Sequence, residues 1–170
     1  MRILALDIGT NRIGVAFADS KSVRIAVPRG MVEVDDEIFA KIARAYRLEK
    51  ADIFVAGLPR NNSGETTRQT EFVYDFMHQL ADYYKSKGEQ CPYVHYQDES
   101  WTSVEAERHL TSKKHELSRQ DRKDGKVDAE AAAIILQDFL DNNESLASAE
   151  KNWQLHEEKR GEQSEEDKSA

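Results

Sequence analysis

Apolar positions crowd the start of the chain: from Arg2 to Ile8 every side chain after Arg2 is apolar except Asp7, the pattern of a strand buried on both faces. A short polar connection, Gly9-Thr10-Asn11-Arg12, leads into a second apolar stretch over 13–18, so these two strands are predicted to pair as a hairpin. A third extended segment, 22–34, holds Pro28 and Gly30, which suit an edge or irregular strand. Asp35 and Asp36 then start a helix to about residue 50, with Ile38, Ile42, Ala45 and Tyr46 close to one face. The run ADIFVAGL over 51–58 is a short buried strand, and PRNNSGE after it is a loop. The spacing predicts a long helix over 66–87, with Phe72, Phe76, Leu80 and Tyr83 as its buried stripe. Residues 92–97 form another strand; Thr102-x-x-Glu105 has the form of a capping box and starts a helix; a last helix is predicted over 127–141.

Three strands in a meander followed by helices alternating with strands define an α/β chain. The later strands need parallel pairings with right-handed crossovers. The expected architecture is a mixed five-stranded sheet, an antiparallel meander of three strands plus two parallel strands, flanked by about four helices. This is the outline of a ribonuclease H-like sheet. Beyond Asn142 apolar residues are few, and the chain ends in EEKRGEQSEEDKSA. The expected organisation is therefore a folded domain over 1–142 and an acidic, disordered tail over 143–170, with room for one fraying turn around Trp153.

Composition narrows the classes. At 170 residues the chain is about one domain, and 39% hydrophobic with 33% charged residues leaves no long membrane span. The apolar start is interrupted at Asp7 and carries no small-residue cleavage site, so no signal peptide is expected. One cysteine, Cys91, excludes an internal disulfide and a cysteine zinc site, and a reducing cytoplasm fits. The net charge of -8 argues against a nucleic-acid partner, but eight acidic and four basic residues over 144–170 carry half of it. Over 108–126 the balance reverses, with seven basic residues against Glu116, Asp121 and Asp124. That stretch is either a solvated loop or a phosphate-binding surface.

Three carboxylates stand in unusual places. Asp7, inside a central strand, must be paired, hydrogen-bonded or bound to a cation; acceptance from the turn amides after Gly9 is the alternative. Glu99 ends the strand PYVHYQDE, where open sheets gather ligands. Its neighbour Asp98 points the other way in an extended strand. Asp128 shares a helix face with Ala132, Ile135 and Phe139, the face a helix buries, although an acid in a first turn also suits the helix dipole. Brought together without cations these acids would raise one another's pKa. Magnesium or manganese removes that conflict and suits phosphodiester hydrolysis.

Four blocks in order, LALDIGTNRIGVAFAD, VAGLPRNNSGETTRQ, YQDESWTSVEAERHL and KVDAEAAAIILQDFL, resemble the YqgF, or Holliday-junction-resolvase-like, proteins, over about residues 1–141. The resemblance implies a ribonuclease H-like fold, metal-dependent phosphodiester cleavage with Mg2+ or Mn2+, and a structured RNA substrate, the precursor of small-subunit ribosomal RNA. It puts the family's acids on Asp7, Glu99 and Asp128 as catalytic residues and metal ligands. Arg12, Asn62 and Lys126 are candidates for holding nucleic acid or ordering the site. Their alternatives are a solvent charge at a hairpin tip, a turn former and a surface lysine. Ser100 stands where the family usually has arginine, which bears on substrate grip. The expected protein is a cytoplasmic monomer or homodimer. The competing readings are an actin- or sugar-kinase-like nucleotide-binding domain, for which one lobe of this size is half of what is needed, and a nucleic-acid-binding relative without turnover.

Overall fold

β1 (Arg2–Ile8) is the strand around which the sheet is built. It pairs antiparallel with β2 (Arg12–Asp19), from Arg2 opposite Asp19 to Ile8 opposite Ile13, and parallel with β4 (Ile53–Leu58) on its other side. β3 (Val27–Glu33) lies outside β2, and β5 (Tyr93–Asp98) runs parallel to β4, giving the order β3-β2-β1-β4-β5. The computed structural model describes residues 1–22, 24–59, 65–98 and 125–169, with 160–169 by backbone alone. Its four helices among the described residues are α1 (Ile38–Glu49), α2 (Arg68–Ser86), α3 (Lys126–Asp141) and α4 (Asn143–Ser169).

Side chains alternate across a strand, and this splits the core in two. Leu4, Leu6 and Ile8 of β1, Ile13, Val15 and Phe17 of β2, and Phe54 and Leu58 of β4 pack with Ile42 of α1 and Phe76 and Leu80 of α2. The opposite face carries Ile3, Ala5, Ala16, Ala18, Ile53 and Val55, covered by Ala132, Leu136, Phe139 and Leu140 of α3. Three of these, Ala5, Ala16 and Ala18, are alanines on β1 and β2, which leaves α3 room to lie close to those strands. Asp7 continues the series Ile3, Ala5 and therefore faces α3.

The mixed five-stranded sheet agrees with the expected fold, and β3 is the edge strand foreseen, with a register shift opposite Val15 and Ala16. α2 starts with a capping box in which Thr67 and Thr70 bond one another's backbone amides. Its deepest residues include Val73, Met77 and Tyr84, while Phe72 and Tyr83 of the expected stripe are only partly buried. The expected helix start at Thr102 and Glu105 lies outside the described residues.

The structure corrects the expected disordered tail: α4 is helical over Asn143–Ser169. The side-chain oxygen of Asn142 accepts from the amides of Glu144 and Ser145 at 3.1 Å, satisfying two of the donors a helix start leaves free. Ala149 is fully buried, and Leu146 and Trp153 pack beside it against the α3 cluster. Asn152 donates to the Tyr93 hydroxyl at 3.3 Å, and the His156 ring meets the Tyr93 ring edge-on at 6.3 Å. Residues 146, 149, 153 and 156 form a helical stripe, a narrow one that the surrounding charges hide in the sequence. Ala149→Glu should therefore cost about 2 kcal/mol or more of unfolding free energy in urea denaturation, whereas a disordered tail would accept it without change.

Candidate active site

Asp7 lies at the carboxyl end of β1, opposite Gly14 of β2. The contact that decides its surroundings is at that glycine. A Cβ added to Gly14 would come within 1.9 Å of the Asp128 carbonyl oxygen, so the first turn of α3 rests directly on the β2 backbone. A second seat lies one strand further out. Gly125, which caps α3 with φ of 72°, leaves room that a Cβ would take from Met31, 2.0 Å from its Cγ, and Met31 pairs with Gly14 across β2 and β3. Only glycine meets both demands at Gly125, a left-handed backbone and no side chain. Together the two contacts hold Asp128 over the sheet beside Asp7.

The electrostatics follow from that placement. Burial pushes the Asp7 carboxyl up to about 6, and the neighbouring charge of Asp128 pushes it in the same direction. Arg12, on the same face of β2 as Gly14, brings its Nη1 to 3.9 Å from Oδ2 of Asp128, both side chains about one-third exposed. At that distance and exposure the pair contributes little to stability; it places a cation at the rim of an otherwise acidic pair.

The family description "RuvX: Holliday junction resolvase" matches residues 1–142. The chain belongs to that family. It is 32% identical over 145 residues to a protein of Streptococcus agalactiae named "Putative pre-16S rRNA nuclease", covering 83% of this chain and 98% of the relative. A relative of the same name from Chloroflexus aurantiacus is 38% identical over 148 residues, covering 84% and 88%. Among solved structures, Thermus thermophilus RuvC in complex with a Holliday junction aligns at 12% identity and TM-score 0.46, over 82% of this chain and 93% of that one. This resolvase-like protein is thus a member of a nuclease family, and among its described residues no helix is long and apolar enough to cross a membrane.

Of the residues expected in the site of this family member, Asp7, Asp128 and Arg12 come together. Lys126 is exposed at the first position of α3, two before Asp128. Glu99, Asn62 and Ser100, and the basic stretch before Gly125, lie outside the described residues. Asp98 pairs with Leu58 and shares the side of β5 that carries Val94 and Tyr96, so it faces away from Asp7, as alternation requires. The His95 ring lies tilted against Phe139 at 4.9 Å, and partial burial lowers its pKa. Cys91 has its thiol pushed up to about 11 by burial, which leaves it inert as a nucleophile.

Two residues beside the acids carry no charge signal in the sequence. Gly14 is one, because a glycine in a strand shows its purpose only when the facing helix is in place. Gln97 is the other: it is 9% exposed, and its Oε1 is buried with no partner among the described residues, which ordinarily costs about 1–3 kcal/mol. The available signal was its place two residues before Glu99, hence on the same side of an extended strand.

The donor set suits a divalent cation such as Mg2+ or Mn2+. Asp7 and Asp128 are hard oxygen donors whose mutual repulsion raises Asp7, and a cation relieves that repulsion. Among the described residues no three His, Cys, Asp or Glu side chains form a complete ligand group, so these two acids are a partial set.

Two outcomes follow. Asp7 titrates at 3.8 when unperturbed and at about 6 here, so the folded state binds more protons across that window. Metal-free stability therefore falls as pH rises through it and stays lowered above it. Asp7→Asn should raise metal-free stability at neutral pH by about 2 kcal/mol and flatten that slope, as read by urea denaturation in EDTA across the window. Gly14→Ala should act oppositely, forcing α3 off β2 at a cost of about 3 kcal/mol, measured as a lowered unfolding midpoint.

Proposed function

We propose that this protein is a metal-dependent nuclease that hydrolyses phosphodiester bonds of structured RNA, acting in the cytoplasm on the 5′ end of precursor 16S ribosomal RNA. The observation that carries this reading is Asp7, a half-buried carboxylate at the carboxyl end of the central strand, its pKa raised first by desolvation and then by the charge of Asp128. Family membership and the names of the relatives support nucleic acid as the substrate. Asp7 and Asp128, with Glu99, the residue that follows β5 in the chain, would hold Mg2+ or Mn2+. The bound cation supplies Lewis-acid stabilisation of charge on the scissile phosphate. Asp7, paired with Gly14 on a strand held by neighbours on both sides, starts from a fixed backbone position, so little reorganisation is needed. Arg12, at the rim, offers its guanidinium to a phosphate oxygen, a match for its planar donor fork. Asn62 and Lys126 are the further candidates for backbone contacts.

The test is cleavage of a structured RNA spanning the 5′ precursor junction, with Mn2+ or Mg2+ supplied. Asp7→Asn and Asp128→Asn should each lose about 100-fold or more in rate, on the order expected when charge stabilisation in the transition state is removed. Arg12→Ala should act mainly on KM. Cleavage by Asp7→Asn at the wild-type rate would overturn the assignment.

A further inference from the structure

Thr70, at 0% exposure, and Gln97, at 9%, are the two buried polar residues among those described. Thr70 is satisfied, bonding the Pro59 carbonyl and the Thr67 cap. Gln97 is not: its Nε2 donates to the Asp98 carbonyl at 3.4 Å, and its Oε1 has no partner among the described residues. With the NH2 turned to that carbonyl, the oxygen is the end left without a partner among the described residues.

Its place in the sheet is specific. Gln97 pairs with Gly57, and the β1–β4 pairing ends at Leu6 with Ala56, so Asp7 and Gly57 are the next residues on their two parallel strands. Gln97 follows Tyr93 and His95 on the α3 side of β5, where Tyr93 joins the α3 cluster and His95 meets Phe139. Asp7 and Gln97 thus face the same way at one level, with a glycine and no side chain between them. Two strand spacings put their Cα atoms about 10 Å apart. A glutamine carries its oxygen about 5 Å from Cα and an aspartate about 3.5 Å, and two metal–oxygen bonds of about 2.1 Å span the rest.

We propose that Gln97 is a further oxygen donor of the site, its side-chain carbonyl turned to the same divalent cation as Asp7 across Gly57. The proposal rests on the metal-dependent reading given above. A neutral amide oxygen is a suitable hard donor there, because it adds a ligand without adding a third repelling charge. It also accounts for a strand residue that stays buried and polar with one end unbonded.

The experiment is Mn2+ binding to the full chain without nucleic acid, followed by electron paramagnetic resonance, beside thermal melts in EDTA. Gln97→Leu should weaken Mn2+ binding about 10-fold or more, with the metal-free melt unchanged or raised, because an unbonded polar atom has been removed. Gln97→Glu should retain binding within a few-fold. Gln97→Asn keeps the amide but draws the oxygen back, and should weaken Mn2+ binding even if Gln97→Leu proves unstable. Wild-type affinity in both Gln97→Leu and Gln97→Asn, with binding lost in Asp7→Asn, would overturn the Gln97 role alone. Wild-type affinity in Asp7→Asn would instead overturn the metal-dependent reading beneath it.

Discussion

The first turn of α3 rests on β2 at Gly14, where the Asp128 carbonyl occupies the space any side chain would need. This contact brings a residue late in the chain over one at its beginning. Asp128 reaches Asp7 because Gly14 is directly opposite Asp7 in the hairpin, and Arg12 reaches Asp128 because it is two residues from Gly14 on the same face. Gly125 and Met31 hold the same turn from the β3 side. A helix anchored at two points in its first turn cannot pivot there, so the acid it carries has a defined position.

That geometry works against stability. Burial and a like charge both disfavour an ionised Asp7, and the fold tolerates this because β1 is clamped by pairing on both sides and buried on both faces. The unfavourable charge is concentrated at one end of the strand, where Asp7 and Asp128 meet. Arg12 stands at the rim beside Asp128, at a distance and exposure that leave the pair weak. A site built this way is held by apolar packing and made reactive by the polar groups that packing constrains.

α4 completes the α3 side of the molecule at the end of the sheet away from Asp7. Ala149 and Trp153 extend the α3 cluster to Tyr93, and His156 and Asn152 meet the Tyr93 ring and hydroxyl. The helix begins immediately after Asn142, whose side chain caps it. The packing of α3 is thereby supported at its carboxyl end by α4 as it is at its amino end by the two glycines. The arrangement ties the acidic C-terminal segment to the fold although few of its residues are apolar.

The sheet was legible from local pattern. β1 and β4 are continuous apolar runs, the connection after Ile8 is short, and Pro28 with Gly30 marks an edge, so strand identity and pairing partners follow from neighbours in the chain. Asp7 was legible for the same reason, as a carboxylate that violates its own strand's pattern, and Asp128 as an acid on the apolar face of a helix. α4 was not, because its stripe is sparse and its one fully buried residue, Ala149, is small enough to pass unnoticed among charges. Gly14 and Gln97 were decided only by tertiary structure. A glycine acquires meaning from the backbone that fills its missing side chain, and a glutamine from the partner it lacks. Both depend on contacts between distant segments, which periodicity along the chain does not record. The chain alone thus determined which residues are out of place, and the packing of α3 against the sheet determined which of them meet.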